Sequence, residues 1–158
     1  MKIVQGAESL FEKLKLWRRY LHEHPELSFE EVETSKFVVN ELKKIDNIFI
    51  ETNIGGHGIV ATLTTGHGPT IALRADMDAL PINEETGVPF TSKKPGIMHA
   101  CGHDIHSAIL FGAGMVLNSL KDYWKGNILL VFQPSEEVEP GGAMELLNAG
   151  AIPTYANG

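Results

Sequence analysis

A chain of 158 residues, 43% of them hydrophobic, is long enough to bury a core as a single globular domain. Thirteen basic residues against twenty acidic ones leave a net charge of −7, which excludes the basic footprint of a nucleic-acid binder and reads as a solvated acidic surface. A single cysteine cannot close an internal disulfide, no stretch approaches the roughly 18 apolar residues that span a bilayer, and the N-terminal segment lacks the apolar core of a signal peptide. The expectation is a cytoplasmic protein with neither nucleic acid nor membrane as a partner.

In chain order, "LFEKLKLWRRYLHEH" places Leu10, Phe11, Leu14, Trp17 and Leu21 on one helical face, and Pro25 stops that helix. Ser28-Phe29-Glu30-Glu31 matches a capping box, which predicts Ser28 as N-cap of a second helix with Glu31 reaching back. That helix is expected to reach about Ile45 and to bury Val32, Val38, Leu42 and Ile45. Three β-rich runs follow: "NIFIETN", "GIVATLTT" and "TIALRAD". The last two, joined across Gly66-His67-Gly68-Pro69, predict a hairpin. The glycine clusters at 55–58 and 66–68 lack the spacing and the following helix of a phosphate cradle.

Pro81, Pro89 and Pro95 keep the segment 79–96 loop-like. A small-residue helix is expected over "SAILFGAGMVLNSL", then a buried central strand in "NILLVFQP", and a last helix from Gly142 to Asn148 closed by Gly150. No internal repeat and no low-complexity segment interrupts the pattern. The fold class is α/β, with a mixed sheet flanked by helices.

The chemistry concentrates in "MHACGHDIHS", where His99, Cys101, His103, Asp104 and His106 crowd together around the lone thiol. A thiolate and an imidazole two residues apart suit a transition metal such as zinc. The alternatives are a packed, inert cysteine beside surface histidines, or a Cys–His nucleophilic pair with Asp104 as its orienting group. Two acidic sites lie at strand ends. Asp76 and Asp78 follow "TIALRA", where a carboxylate orients a ligand histidine or bridges metals, unless it only shapes the turn before Pro81. Glu136, Glu137 and Glu139 follow "VFQPS". There one carboxylate can ligate while its neighbour deprotonates water, or all three can simply favour the next helix N-terminus. Convergence of these sites favours a catalytic metal centre.

The motifs "HEHPELSFEE", "ALRADMDALPI", "MHACGHDIH" and "FQPSEE", in this order, resemble the amidohydrolase branch of the aminoacylase/carboxypeptidase zinc-metallopeptidase family. That branch includes hippurate hydrolases, N-acyl-amino-acid amidohydrolases, N-acetyldiaminopimelate deacetylases and plant auxin-conjugate hydrolases. The resemblance implies a phosphorylase/hydrolase-like catalytic domain and a divalent metal such as Zn, Mn, Ni or Co. It implies Cys101, His103 and Glu137 as ligands, Glu136 as the base that activates the metal-bound water, and Asp78 as the buried aspartate near the metals. Asp76 stands where related branches carry a ligand histidine, and His99 and His106 support the loop. The implied substrate is a small N-acylated amino acid, whose amide bond is hydrolysed; a homo-oligomer is compatible with the family.

The family also implies a longer chain. Its catalytic domain is interrupted by a lid or dimerisation domain and supplies further histidine ligands, whereas all seven histidines here lie at or before position 106. "AIPTYANG" does not resemble the next strand of the family. Residues 1–158 are therefore expected to be the N-terminal part of a catalytic domain, able to hold one metal rather than two and weakly active or inactive alone. If later strands normally complete the sheet, an edge such as "NILLVFQP" is left unprotected. The alternative is a non-catalytic relative that binds metal or a partner chain.

Overall fold

The first helix, α1 (Lys2–Glu23), ends just before Pro25, as its sequence requires. The computed structural model describes residues 2–151; all of "AIPTYANG" beyond Ala151 lies outside the described residues. Trp17 and Leu21 are buried, but Phe11 is 61% exposed. One residue on from Leu10, it lies about 100° further round the helix and leaves the apolar stripe.

The second helix, α2 (Val32–Leu42), departs from the expected capping box. Phe29 has φ of +68°, Glu31 takes the N-cap position, and no side chain caps the helix. Ser28 instead donates its hydroxyl to Asp78 Oδ2 at 2.6 Å. Glu31 accepts from the Ser135 backbone N–H at 2.7 Å. Long-range partners outcompete the local cap here. Val38, Leu42 and Ile45 are buried, Ile45 from the turn after the helix, whereas Val32 at the first turn is 42% exposed.

The strands β1 (Phe49–Ile54), β2 (Gly58–Thr64), β3 (Thr70–Asp76) and β4 (Asn127–Gln133) form one mixed sheet in the order β1-β2-β4-β3. The antiparallel neighbours are β1 with β2 and β2 with β4. The expected β2–β3 hairpin does not form, because β4 lies between the two strands. Its continuous apolar run is buried on both faces, so it takes a central place, and α3 (His103–Ser119) provides the crossover that makes β3 and β4 parallel. Consequently β4 is not the unprotected edge. The edges are β1 and β3, and β3 is largely exposed, with Ile71 at 57%.

The main core lies between one sheet face and helices α1, α2 and α3. Trp17 meets Phe111 with ring centroids 5.0 Å apart, and Phe111 meets Phe132 of β4 at 5.1 Å. Glycine lets α3 sit this low: a Cβ at Gly114 would come 2.5 Å from Leu130 Cδ1. On the opposite face, Val60, Leu129 and Val131 pack with Leu146 of the short α4 (Gly142–Asn148), which Gly150 follows with φ of +68°. Helices therefore cover both faces.

Parallel pairing is what builds the site. It sets Asp76 beside Gln133 in register, and the Met77 N–H donates to the Gln133 carbonyl at 2.9 Å. Both strands thus release their following loops at the same end of the sheet, where α3 also begins, the usual location of sites in α/β sheets.

Candidate metal centre

Cys101, His103 and Glu137 each bring one donor atom into a group whose members all lie within 4.8 Å of one another. Residues separated by more than thirty positions thus meet. His103 opens α3 and is buried, Glu137 is half-buried and Cys101 is exposed. Glu136 joins from the same loop, its Oε2 3.9 Å from His103 Nε2, and Glu137 Oε1 lies 3.8 Å from that nitrogen.

The imidazole is fixed from behind. His103 Nδ1 donates to the Asp78 main-chain carbonyl at 2.9 Å, and Asp78 Oδ1 lies 3.3 Å away. This leaves Nε2 as the lone pair facing the carboxylates, the tautomer a metal ligand needs. Asp78, 1% exposed, does not itself enter the donor group. Its Oδ2 accepts the Ser28 hydroxyl and the Glu137 N–H, the latter at 2.9 Å. Burial raises the Asp78 carboxyl, but hydrogen bonds from His103, Ser28 and the backbone of Glu137 and Glu136 outweigh it and hold it far below the usual range. Burial lowers the His103 imidazole in turn, and the Asp78 side chain and carbonyl more than reverse this, for a net rise.

A second trio, Asp76, His103 and His106, also gathers donor atoms within 4.8 Å. Both trios draw on one imidazole whose Nδ1 is already engaged, so they compete for a single lone pair. Asp76 is already paired with Arg74 at 2.6 Å. The Cys101 trio is the better formed.

The residues fit a cation. Glu137 Oε1 is buried without a hydrogen-bond partner. The Glu137 carboxylate beside it pushes the Cys101 thiol up, with burial and the charges of Glu136 and Asp76 adding to the effect. A nucleophilic cysteine requires the opposite environment, which weighs against the Cys–His pair. A thiol, an imidazole and a carboxylate crowded by further negative charge are a donor set suited to a divalent cation such as zinc.

Several supporting contacts were not foreseen. Glu31, fully buried, grips both the N–H and the hydroxyl of Ser135, which has φ of +54° immediately before Glu136. Burial raises the Glu31 carboxyl. Beside His103, Asp104 accepts from His22 Nδ1 at 2.7 Å and pairs with Arg18 Nε at 2.8 Å, while His22 Nε2 faces Glu84 at 3.0 Å. His99 is buried with both ring nitrogens unpartnered, and burial pushes it down to about 4. The recurrence of Glu and His in "HEHPELSFEE" was the available signal.

The layered α/β architecture places its donor group beyond the ends of parallel strands, where sites of α/β sheets collect. The chain belongs to peptidase family M20/M25/M40, whose model matches residues 72–156. It is 44% identical over 136 residues to an N-acyl-L-amino acid amidohydrolase of Geobacillus stearothermophilus, covering 86% of this chain and 37% of that protein. An N-acetylcysteine deacetylase of Bacillus subtilis is 46% identical over 136 residues, covering 85% of this chain and 36% of its own. Among solved structures, the Bacillus subtilis YXEP protein, a dinuclear metal binding peptidase from the M20 family, superposes with a TM-score of 0.86 at 44% identity. That match covers 92% of this chain and 41% of the other. The chain thus spans well under half the length of these relatives. Among the described residues no helix is long and apolar enough to cross a membrane.

Proposed function

We propose that residues 1–158 are the N-terminal part of a metal-dependent catalytic domain that hydrolyses the amide bond of N-acylated amino acids. The observation that carries the reading is the gathering of Cys101, His103 and Glu137 at one sheet end with Glu136 beside them. Cys101, His103 and Glu137 would hold a divalent cation. When bound, the cation supplies polarisation of the amide carbonyl and a lower pKa for water. Glu136, the more exposed of the two glutamates, accepts the proton of the attacking water and returns it to the leaving nitrogen. The C–N bond breaks, and a carboxylic acid and a free amino acid leave. Asp78 is a positioning residue: it touches His103 and the Glu137 backbone and sets both. The relatives named as amidohydrolase and deacetylase support the N-acyl substrate class. A reducing cytoplasm, where an exposed thiol persists, suits Cys101 as a ligand.

The test measures release of free amino acid from N-acetyl amino acids with added Zn, Mn, Ni or Co, together with metal affinity. Metal binding at the trio is expected, with chelator-sensitive turnover that is weak in residues 1–158 alone and that Glu136→Gln abolishes. Turnover that survives chelation and is lost on thiol alkylation would refute the metal reading in favour of a cysteine nucleophile. Tight metal binding with no turnover from any part of the protein would favour the non-catalytic alternative.

A further inference from the structure

The chemistry above leaves unused the second donor group, in which Asp76 and His106 join His103. His106 lies three residues on along α3, on the same helical face, with the two imidazole centroids 5.5 Å apart. Asp76 ends β3, and the Ser107 hydroxyl donates to its main-chain carbonyl at 3.0 Å. That bond ties the strand end to the helical turn carrying His106. Arg74 takes only Oδ1 of Asp76, and Oδ2 has no hydrogen-bond partner among the described residues. Asp76 and His106 line a hollow of about 520 Å³, whereas Cys101 borders a different one, so a cation reaches the two groups through separate openings. Two imidazoles and a carboxylate are a zinc donor set that needs no sulfur. The positive charge of Arg74 weakens this set, so the Cys101 group fills first. Both groups need the one free lone pair of His103, and an ion therefore occupies one or the other.

We propose that Asp76, His103 and His106 form a reserve zinc seat, filled when Cys101 is not available as a ligand. Cys101 is the exposed member of the first group, and its removal leaves the buried His103 free to serve the second. The inference goes beyond the amidohydrolase reading and shares only His103 with it, since neither Glu136 nor Glu137 belongs to this seat.

The test is a comparison of His106→Ala in two backgrounds, with zinc affinity measured by competition against a chromophoric chelator. In the unsubstituted protein His106→Ala should change the affinity less than about twofold. In Cys101→Ala protein, which should still bind one zinc, His106→Ala should weaken binding about tenfold or more, the least that loss of even an outer partner costs. Asp76→Asn should act in the same direction in that background. His106 is exposed, so its removal leaves the core intact, and melts of the metal-free proteins check this. Two spectroscopic readings stand beside the affinities. Cobalt(II) should show a sulfur-to-metal absorption band in the unsubstituted protein and none in Cys101→Ala. The His106 ring-nitrogen resonances should shift with one equivalent of zinc in Cys101→Ala protein and stay in place in the unsubstituted protein. A Cys101→Ala protein that binds no zinc, or one that binds it equally well without His106, would overturn the proposal. So would a single ion that engages the thiolate and His106 together. If zinc in the unsubstituted protein moves the His106 resonances while cobalt shows no sulfur band, the Cys101 centre and the amidohydrolase reading built on it fail, and the seat survives.

Discussion

Asp78→Asn isolates how much of the metal affinity comes from behind the ligand. Asp78 Oδ2 accepts two donors, the Ser28 hydroxyl at 2.6 Å and the Glu137 N–H at 2.9 Å, so the asparagine oxygen is drawn to that side. The new NH₂ group then occupies the place of Oδ1, 3.3 Å from His103 Nδ1, donor against donor. The main-chain bond from Nδ1 to the Asp78 carbonyl, 2.9 Å, survives the change. Loss of such an outer partner generally weakens metal binding ten- to a hundredfold. With one of the two acceptors retained, the loss is expected in the lower half of that range, roughly ten- to thirtyfold or about 1.4–2 kcal/mol. Competition against a chromophoric zinc chelator gives the affinity, and thermal melts of the metal-free protein confirm the fold. A change under twofold, while His103→Ala abolishes binding, would refute the positioning role. A loss as large as that of His103→Ala would make Asp78 a ligand and refute it from the other side.

Glu84 gives a pH signature. Burial raises its carboxyl, but the Ser92 N–H, the Thr86 hydroxyl and His22 outweigh this and hold it at about 2, below its ordinary 4.5. Its contribution to stability is therefore complete above pH 4.5 and lost as pH falls toward 2. The difference in unfolding free energy between the unsubstituted protein and Glu84→Gln should shrink across that window; urea melts showing a constant difference would contradict this. Gly142→Ala would place a Cβ 1.9 Å from the Pro134 carbonyl oxygen, where no flexible side chain can give way, and should cost about 1–3 kcal/mol in the same melts. Ile71, exposed on the free edge of β3, should promote self-association that Ile71→Lys suppresses. Identical sedimentation profiles for the two proteins would count against an edge-driven contact.

What the chain reveals by itself is what its periodicity and local chemistry encode. The apolar run of β4 demands burial on both faces wherever it lies, and so its central place was legible. Cys101, His103, Glu136 and Glu137 stood out because ligand-type residues cluster at ends of regular elements. Strand order was not legible: Gly66–Pro69 looks like a hairpin loop, and nothing local says that β4, more than fifty residues on, separates the strands it joins. The same limit applies to Ser28 and Glu31. Their spacing satisfies a capping box, but burial makes the distant partners Asp78 and Ser135 the stronger claim. Phe11 and Val32 erred differently, because an apolar side chain at the margin of a helical stripe is buried only if a neighbour covers it.

The Glu31–Ser135 clasp joins the start of α2 to the loop that carries Glu136 and Glu137, across 104 positions of sequence. Opening either end must strain the other, and linkage makes the effect reciprocal. A cation that steadies Glu137 should therefore slow amide hydrogen exchange in α2, a helix that supplies no donor atom. Loosening α2 should in turn raise the dissociation constant of that cation by the matching factor. The boundary of the site, read as a cooperative unit, extends to Glu31.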